Sequence, residues 1–111
     1  MVSQGALEPI LRPRSIAVIG ASRTPVTIGH EIVANLVRGG FTGSVHPVNP
    51  KAKAIYSIRA APSVASLPEP VDLAVITVPK ELVQDVVHQC ADAGVGGLVV
   101  ISAGFREVGG E

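Results

Sequence analysis

The feature that most constrains the fold of this 111-residue chain is an alternation of short aliphatic runs with segments of helical periodicity. Runs rich in valine, isoleucine and alanine that end at glycine or proline are typical of buried strands. The sequence therefore predicts four strands, at residues 15–20, 44–50, 71–79 and 97–104.

Two segments between these strands have the spacing of an amphipathic helix. The predicted apolar stripes are Ile28, Ile32, Val33, Leu36 and Val37 in the first helix, and Leu82, Val83, Val86, Val87 and Cys90 in the second. Gly39-Gly40 and Gly94 supply the helix ends, and residues 51–70 form a less regular connection with one or two helical turns at "SVASL". This alternation predicts a parallel sheet with right-handed crossovers.

Composition narrows the class of protein. Hydrophobic residues make up 47 % and aromatic residues 3 %, which indicates an aliphatic core. Basic and acidic residues number nine each, which argues against a general nucleic-acid or membrane-surface role. The single cysteine excludes an internal disulfide and fits a reducing compartment, and no run approaches the roughly 18–20 apolar residues of a membrane span. A secretory signal is also lacking, so we expect a cytoplasmic location.

The length indicates one domain over residues 1–111. Because the chain stops after a strand and before a covering helix, we expect it to be the N-terminal part of a longer protein or to pair with another chain. A short, self-sufficient homologue is the alternative.

The turn after the first strand has the composition of an anion site. Ligands of open parallel sheets bind at the carboxyl ends of the strands, and Gly20 permits a sharp turn there. Ser22, Thr24 and Thr27 offer hydroxyls, Arg23 offers a forked cation, and the next helix presents free N–H groups. These features favour phosphate; the alternative is an ordinary strand-to-helix turn with Thr27 as its N-cap.

The end of the second strand indicates which phosphate ligand is bound. An NAD domain places an acid there for the ribose hydroxyls, whereas this chain has Asn49, Pro50 and Lys51. Lys51 favours another phosphate, so NADP stays open on this count. However, Ser22 stands where a dinucleotide turn has its second glycine, and this removes the close backbone approach that a dinucleotide pyrophosphate uses. The alternative for Lys51 is a solvated surface lysine.

The residues at the other two strand ends are predicted to line the site rather than to take part in chemistry. Val78 and Pro79 close the third strand, and Ser102, Ala103 and Gly104 close the fourth. Small or rigid residues of this kind let a thin ligand lie against the backbone.

No catalytic or metal-ligating constellation emerges from the sequence. The histidines, at positions 30, 46 and 88, lack metal-ligand spacing. Cys90 lies in an apolar stripe and is interpreted as a buried small residue. The chain is therefore expected to bind a ligand rather than to catalyse a reaction by its own residues. Whether it is part of an enzyme stays open at this point.

The stretches "RPRSIAVIGASRTPVTIGHEIVANLVRGGFTGSVHPVNPKA", "VDLAVITVP" and "GLVVISAGFRE" together resemble the CoA-binding domain of NDP-forming acyl-CoA synthetases. This family includes ADP-forming acetate–CoA ligase and, more distantly, the succinyl-CoA synthetase α subunit. The resemblance extends from about residue 11 to residue 104. It departs from the family pattern at Val26 and Thr27, where relatives often carry glycine and lysine.

The resemblance implies an α/β, Rossmann-like three-layer domain with a mainly parallel sheet that holds coenzyme A or acyl-CoA, with no metal. It implies phosphate contacts from Ser22, Arg23 and Thr24 and from Lys51. Val78-Pro79 would line the adenine or pantetheine path, and residues 102–104 would lie near the thiol arm. The phosphorylated catalytic histidine belongs to a following domain, so the expected partners are the ligase and ATP-grasp domains or subunit of the parent enzyme.

Three other functions stay open at this point. The same domain opens some protein lysine acetyltransferases, and an NADP-binding half of an oxidoreductase would share the cationic strand end. A regulatory domain with a vestigial pocket is the third. The acyl substrate, the preference for ATP or GTP and the oligomeric state are not indicated by the sequence.

Overall fold

The computed structural model describes residues 12–21 and 27–101. In chain order its elements are β1 (Ser15–Ile19), α1 (Ile28–Arg38), β2 (Ser44–Val48), β3 (Ala54–Ile55), β4 (Ile58–Arg59), a 3₁₀ turn (Val64–Ser66), β5 (Leu73–Ile76), α2 (Lys80–Asp92) and β6 (Gly97–Val100).

Four of the strands form one parallel sheet in the order β2-β1-β5-β6. All residues of β1 and of β5 are buried, as expected for central strands covered on both faces. From β1 the chain first moves outward to β2 and then returns to the other side of β1 to form β5. The predicted α/β fold with a mainly parallel sheet is confirmed.

Side-chain alternation along the strands builds two hydrophobic cores, one on each face of the sheet. On one face, Ile16 and Val18 of β1 pack with Val33 of α1. On the other face, Ile19 and Ile76 pack with residues of α2 and of the 3₁₀ turn. The two helices therefore cover opposite faces, and the domain has three layers.

Helix α1 begins and ends where its sequence predicts. The Thr27 hydroxyl accepts a hydrogen bond from the backbone N–H of His30 at 3.3 Å and so caps the first turn. Gly40 follows the last turn with φ +82°, a conformation that favours glycine. The apolar stripe faces the sheet around Val33, but Ile28 and Val37, at its two ends, are exposed.

Helix α2 packs through a narrower stripe than its sequence indicates. Val86 and Cys90 are buried, whereas Leu82, which the sequence assigns to the stripe, is 49 % exposed. That prediction is wrong for Leu82, which lies in the first turn of α2 and outside its buried stripe. Gly94 has φ +79° just after the last turn, as a C-terminal glycine requires. Within the described ranges, no helix has the length and apolar character to cross a bilayer.

A small antiparallel hairpin, β3–β4, lies in the connection that the sequence predicts only as irregular. Its two turn residues, Tyr56 and Ser57, have φ +53° and +68° although neither is glycine. The Tyr56 ring lies edge-on to His30 of α1 at 6.0 Å, and the side chain of Ile55, in β3, is fully buried. The hairpin is thus fixed against the helix that follows β1.

The amino ends of the strands are tied together by side chains opposite the candidate site. The Asp72 carboxylate accepts from the backbone N–H of Arg14 at 2.8 Å, and the Ser15 hydroxyl accepts from the N–H of Asp72 at 3.0 Å. Asp72 therefore has a structural role at the strand entrance.

Candidate functional site

The carboxyl ends of the four parallel strands lie in register along one edge of the sheet. Ile19 pairs with Val48 on one side and with Ile76 on the other, and Ile76 pairs with Val100. The residues that follow the strands continue this row through backbone hydrogen bonds, from Gly20 N–H to Val48 and from Thr77 N–H to Ile19. The predicted binding segments after β1, β2 and β5 therefore begin side by side.

At this edge, between β1 and β5, lies the point at which the order of the strands reverses. Helix α1 leaves β1 toward one face, and α2 leaves β5 toward the other, so the two helices diverge between neighbouring strands. A crevice at this position is the ligand-binding site of doubly wound sheets, and a helix N-terminus points into it with a partial positive charge. The architecture thus favours an anionic ligand between β1 and β5.

Gly20 makes the turn out of β1 and brings it against the wall formed after β5. Its φ is +96°, and a β-carbon at this position would lie 2.5 Å from the Thr77 hydroxyl and 3.2 Å from the backbone nitrogen of Val78. Only a residue without a side chain fits this conformation and spacing. The sequence prediction of a sharp glycine turn is confirmed.

Gly29, in the first turn of α1, is a part of the site that the sequence did not reveal. A β-carbon on Gly29 would collide with the carbonyl oxygen of Gly20. The absent side chain therefore lets the start of α1 approach the end of β1 closely. A lone glycine inside a helical pattern is the signal that could have revealed this packing.

Thr77 lies in a segment that the sequence places at the strand ends, but its positioning role was not predicted. Its hydroxyl donates to the carbonyl oxygen of Ile19 at 3.0 Å, while its backbone N–H donates to the same oxygen at 2.8 Å. The residue thereby fastens the end of β5 to the end of β1 and positions Val78 and Pro79, which lead into α2.

Asn49 connects the segment after β2 to the turn after β1. Its side-chain Nδ2 donates to the carbonyl oxygen of Ala21 at 2.8 Å. Its Oδ1 accepts from the backbone N–H groups of Lys51 at 2.7 Å and Ala52 at 2.9 Å. This Asx turn fixes the backbone of Lys51, and Asn49 is therefore a positioning residue between two predicted phosphate contacts.

The described ranges include seven of the predicted site residues, all in the segments that leave the carboxyl edge: Gly20, Thr27, Asn49, Pro50, Lys51, Val78 and Pro79. Lys51 and Pro79 are exposed, and Thr27 and Val78 are partly buried. The remaining ones, Ser22, Arg23, Thr24, Ser102, Ala103 and Gly104, lie outside the described residues. The Thr27 hydroxyl caps α1, which was the alternative interpretation of that residue.

Reactive and metal-binding groups show no cluster in the described parts of the chain. No three His, Cys, Asp or Glu side chains there are close enough to hold a metal ion. Burial raises the pKa of the Cys90 thiol, which is fully covered by the α2 core, so the thiol stays protonated at neutral pH. Cys90 is therefore a packing residue, as its position in the apolar stripe predicts.

Comparisons with known proteins agree with this geometry. Residues 14–108 match the family model described as CoA binding domain. The chain is 45 % identical over 103 residues to the ADP-forming acetate–CoA ligase II of Archaeoglobus fulgidus, covering 93 % of this chain and 15 % of the relative. It is 43 % identical to the α subunit of the ADP-forming acetate–CoA ligase II of Pyrococcus furiosus, covering 95 % of this chain and 23 % of that subunit.

Among solved structures, the chain resembles the dinucleotide forming acetyl-coenzyme A synthetase 1 of Ca. Korarchaeum cryptofilum, determined with phosphate and ADP. The TM-score is 0.85 at 46 % identity, over 95 % of this chain and 23 % of that one. The chain thus spans less than a quarter of the length of these relatives. The family match and the identities show that this chain belongs to the CoA binding domain family.

Proposed function

We propose that the chain binds coenzyme A, or acyl-CoA, across the carboxyl ends of β1, β2 and β5 as the CoA-binding module of an ADP-forming acyl-CoA synthetase. The single observation that carries this proposal is the Asn49 side chain, which joins the turn after β1 to the backbone of Lys51. Two segments that each suit phosphate are thereby held as one surface beside the N-terminus of α1.

The proposed contacts follow the order of the segments along this edge. Gly20, Ser22, Arg23, Thr24 and Thr27 form the turn for the diphosphate, with Asn49, Pro50 and Lys51 beside it. Val78 and Pro79 line the adenine or pantetheine path, and Ser102, Ala103 and Gly104 lie toward the thiol. Their support is the glycine turn at φ +96°, the capped helix start and the exposed cation at the end of β2.

The proposed parent reaction converts acyl-CoA, ADP and phosphate into acid, ATP and CoA, or runs in reverse. Support comes from the relatives, which are named as ADP-forming acetate–CoA ligases. In this proposal the chain is the N-terminal domain, and ligase and ATP-grasp domains or a partner subunit supply the nucleotide chemistry. The role of this chain is to hold CoA.

NADP is the second ligand that one observation favours, since the end of β2 carries a lysine and no acid. Thermal unfolding of the chain with CoA and with NADP separates the two functions. A ligand at one hundred times its Kd stabilises the folded state by about 2.7 kcal/mol, so the melting temperature rises visibly. We expect a rise with CoA alone; a rise with NADP alone would replace the proposal by a dinucleotide function, and no rise with either would remove both.

A further inference from the structure

A basic hollow lies beside Lys51, between the loop after β2 and the β3–β4 hairpin. Its volume is about 630 Å³, and its described lining includes three cations, Lys51, Lys53 and Arg59, with no carboxylate. In the parts of the chain that the structure describes, none of these cations forms an ion pair. In a chain with equal numbers of acids and bases, this is a local excess of positive charge.

Hydrogen bonds hold the backbone of all three cationic residues at the hollow. The N–H of Lys51 donates to Asn49 Oδ1 at 2.7 Å, which fixes the backbone of Lys51 through the Asx turn. The carbonyl oxygen of Lys53 accepts from the N–H of Ala60 at 2.8 Å, and Arg59 pairs with Ala54 in the hairpin. The hairpin therefore places Lys53 and Arg59 on adjacent rungs of one small ladder.

The position of the hollow indicates which part of a nucleotide reaches it. In doubly wound sheets the residue at the end of the second strand contacts the ribose of the bound nucleotide, and a cation there accommodates a ribose phosphate. The hollow opens at this strand end, through Asn49, Pro50 and Lys51. Coenzyme A carries a phosphate on its ribose 3′ oxygen, and dephospho-CoA lacks it.

We propose that Lys53 and Arg59 join Lys51 in binding the ribose 3′-phosphate of coenzyme A, so that the hairpin selects CoA over dephospho-CoA. This inference rests on the proposed function, because it specifies one end of the same site. A guanidinium and two ammonium groups supply forked and point-charge donors to a phosphate dianion. No carboxylate in the described lining competes for them.

The test is calorimetric titration of the chain with CoA and with dephospho-CoA, before and after Arg59→Gln. The wild-type chain binds CoA at least about a hundredfold more tightly than dephospho-CoA, and Arg59→Gln lowers that ratio about tenfold, since a charge-assisted bond to phosphate is lost. Arg59→Lys retains most of the ratio, and the double change Lys53→Gln with Arg59→Gln lowers it further. Higher ionic strength narrows the wild-type ratio, because the hollow is open to solvent.

The control variant is Arg14→Gln, which removes one exposed positive charge at the amino ends of the strands, opposite the site. It is expected to leave the ratio unchanged, whereas an equal fall in both variants would reduce the effect to net charge and overturn the proposal. Arg59 is exposed on a hairpin, so thermal unfolding of Arg59→Gln shows directly that the variant is folded.

The outcomes separate this inference from the proposed function. If neither CoA nor dephospho-CoA binds the wild-type chain, the proposed function is wrong. If both bind with equal affinity, CoA binding stands and the 3′-phosphate assignment is wrong. Titration with inorganic phosphate covers the remaining source of the same chemistry: heat that disappears in Arg59→Gln while the CoA ratio stays unchanged would assign the hollow to free phosphate instead.

Discussion

A side chain at Gly20 would meet the wall of the site after only one carbon atom. The residue combines φ +96° with a space that ends 2.5 Å away at the Thr77 hydroxyl. Gly40 has a comparable φ of +82°, but a β-carbon there would have no neighbouring atom within 4 Å. The two glycines therefore separate backbone strain from steric exclusion.

We expect Gly40→Ala to destabilise the chain by about 1–2 kcal/mol, the cost of a left-handed conformation for an L-residue. Gly20→Ala carries the same strain and a collision, so its loss is at least about 1 kcal/mol greater. Urea unfolding of both variants measures the difference. Equal losses would mean that Thr77 moves away without cost and that the close approach is unimportant.

The hairpin turn is strained, because Tyr56 and Ser57 have positive φ although neither is glycine. Turns of this kind use glycine or asparagine, and Tyr56-Ser57 contains neither, which is why the sequence predicts only an irregular connection here. Burial of Ile55 and the contact of Tyr56 with His30 stabilise the hairpin in spite of this. Local sequence preference is thus overridden by tertiary packing.

We expect Ser57→Gly to stabilise the chain by about 0.5–1 kcal/mol, because glycine relieves the strain at φ +68°. Part of this gain is offset, since glycine loses more backbone entropy on folding than serine does. Ser44→Gly is the matched control, since Ser44 is exposed at the start of β2 and is not among the residues with positive φ. That control should lose stability in urea or thermal unfolding. A loss for Ser57→Gly as well would show that the turn is not strained.

At the scale of elements, the segment after β2 is fixed to the turn after β1 by the side chain of Asn49. The sequence predicts Asn49 as a ligand contact, and the structure gives its amide a second task in joining Ala21 to Lys51 and Ala52. Asn49 could be predicted to lie at the site from its position at the end of the second strand alone. Its partners could not be predicted, because a single sequence does not show which loops adjoin.

We expect Asn49→Ala to cost about 2–3 kcal/mol of unfolding free energy, since three hydrogen bonds of about 0.5–1.5 kcal/mol each are lost. CoA affinity should fall as well, because the backbone of Lys51 is released. Asn35→Ala, an exposed asparagine on α1, is the control and should stay within about 0.5 kcal/mol of the wild type. Unchanged CoA affinity in a folded Asn49→Ala chain would contradict the positioning role.

At the scale of the whole molecule, the parallel sheet followed from the alternation of elements together with general rules of sheet topology. The four strands and two helices were predicted within a few residues because their apolar periodicity is strong. The hairpin was not, since two-residue strands carry too little pattern. The placement of the two helices on opposite faces was implied by the family resemblance, through its three layers, and is found in the structure.

The outer strand β6 exposes an apolar surface. Leu98, Val99 and Val100 are 36 %, 39 % and 45 % exposed, although the sequence of β6 is that of an interior strand. Exposed apolar edge strands favour association. We expect the 111-residue chain to associate as its concentration rises, and Val99→Lys to suppress this in sedimentation velocity. Wild-type and variant chains that both stay monomeric would show that this edge is inert.

The central claim is that CoA lies at the carboxyl edge of the sheet with a phosphate on Lys51. The most direct measurement is the Kd for CoA by titration calorimetry of the wild-type chain, of Lys51→Ala and of the opposite-edge control Arg14→Ala. We predict binding to the wild type, a loss of about 1–3 kcal/mol in Lys51→Ala and no change in Arg14→Ala. Equal CoA affinity in the wild type and in a folded Lys51→Ala chain would contradict this placement of the ligand.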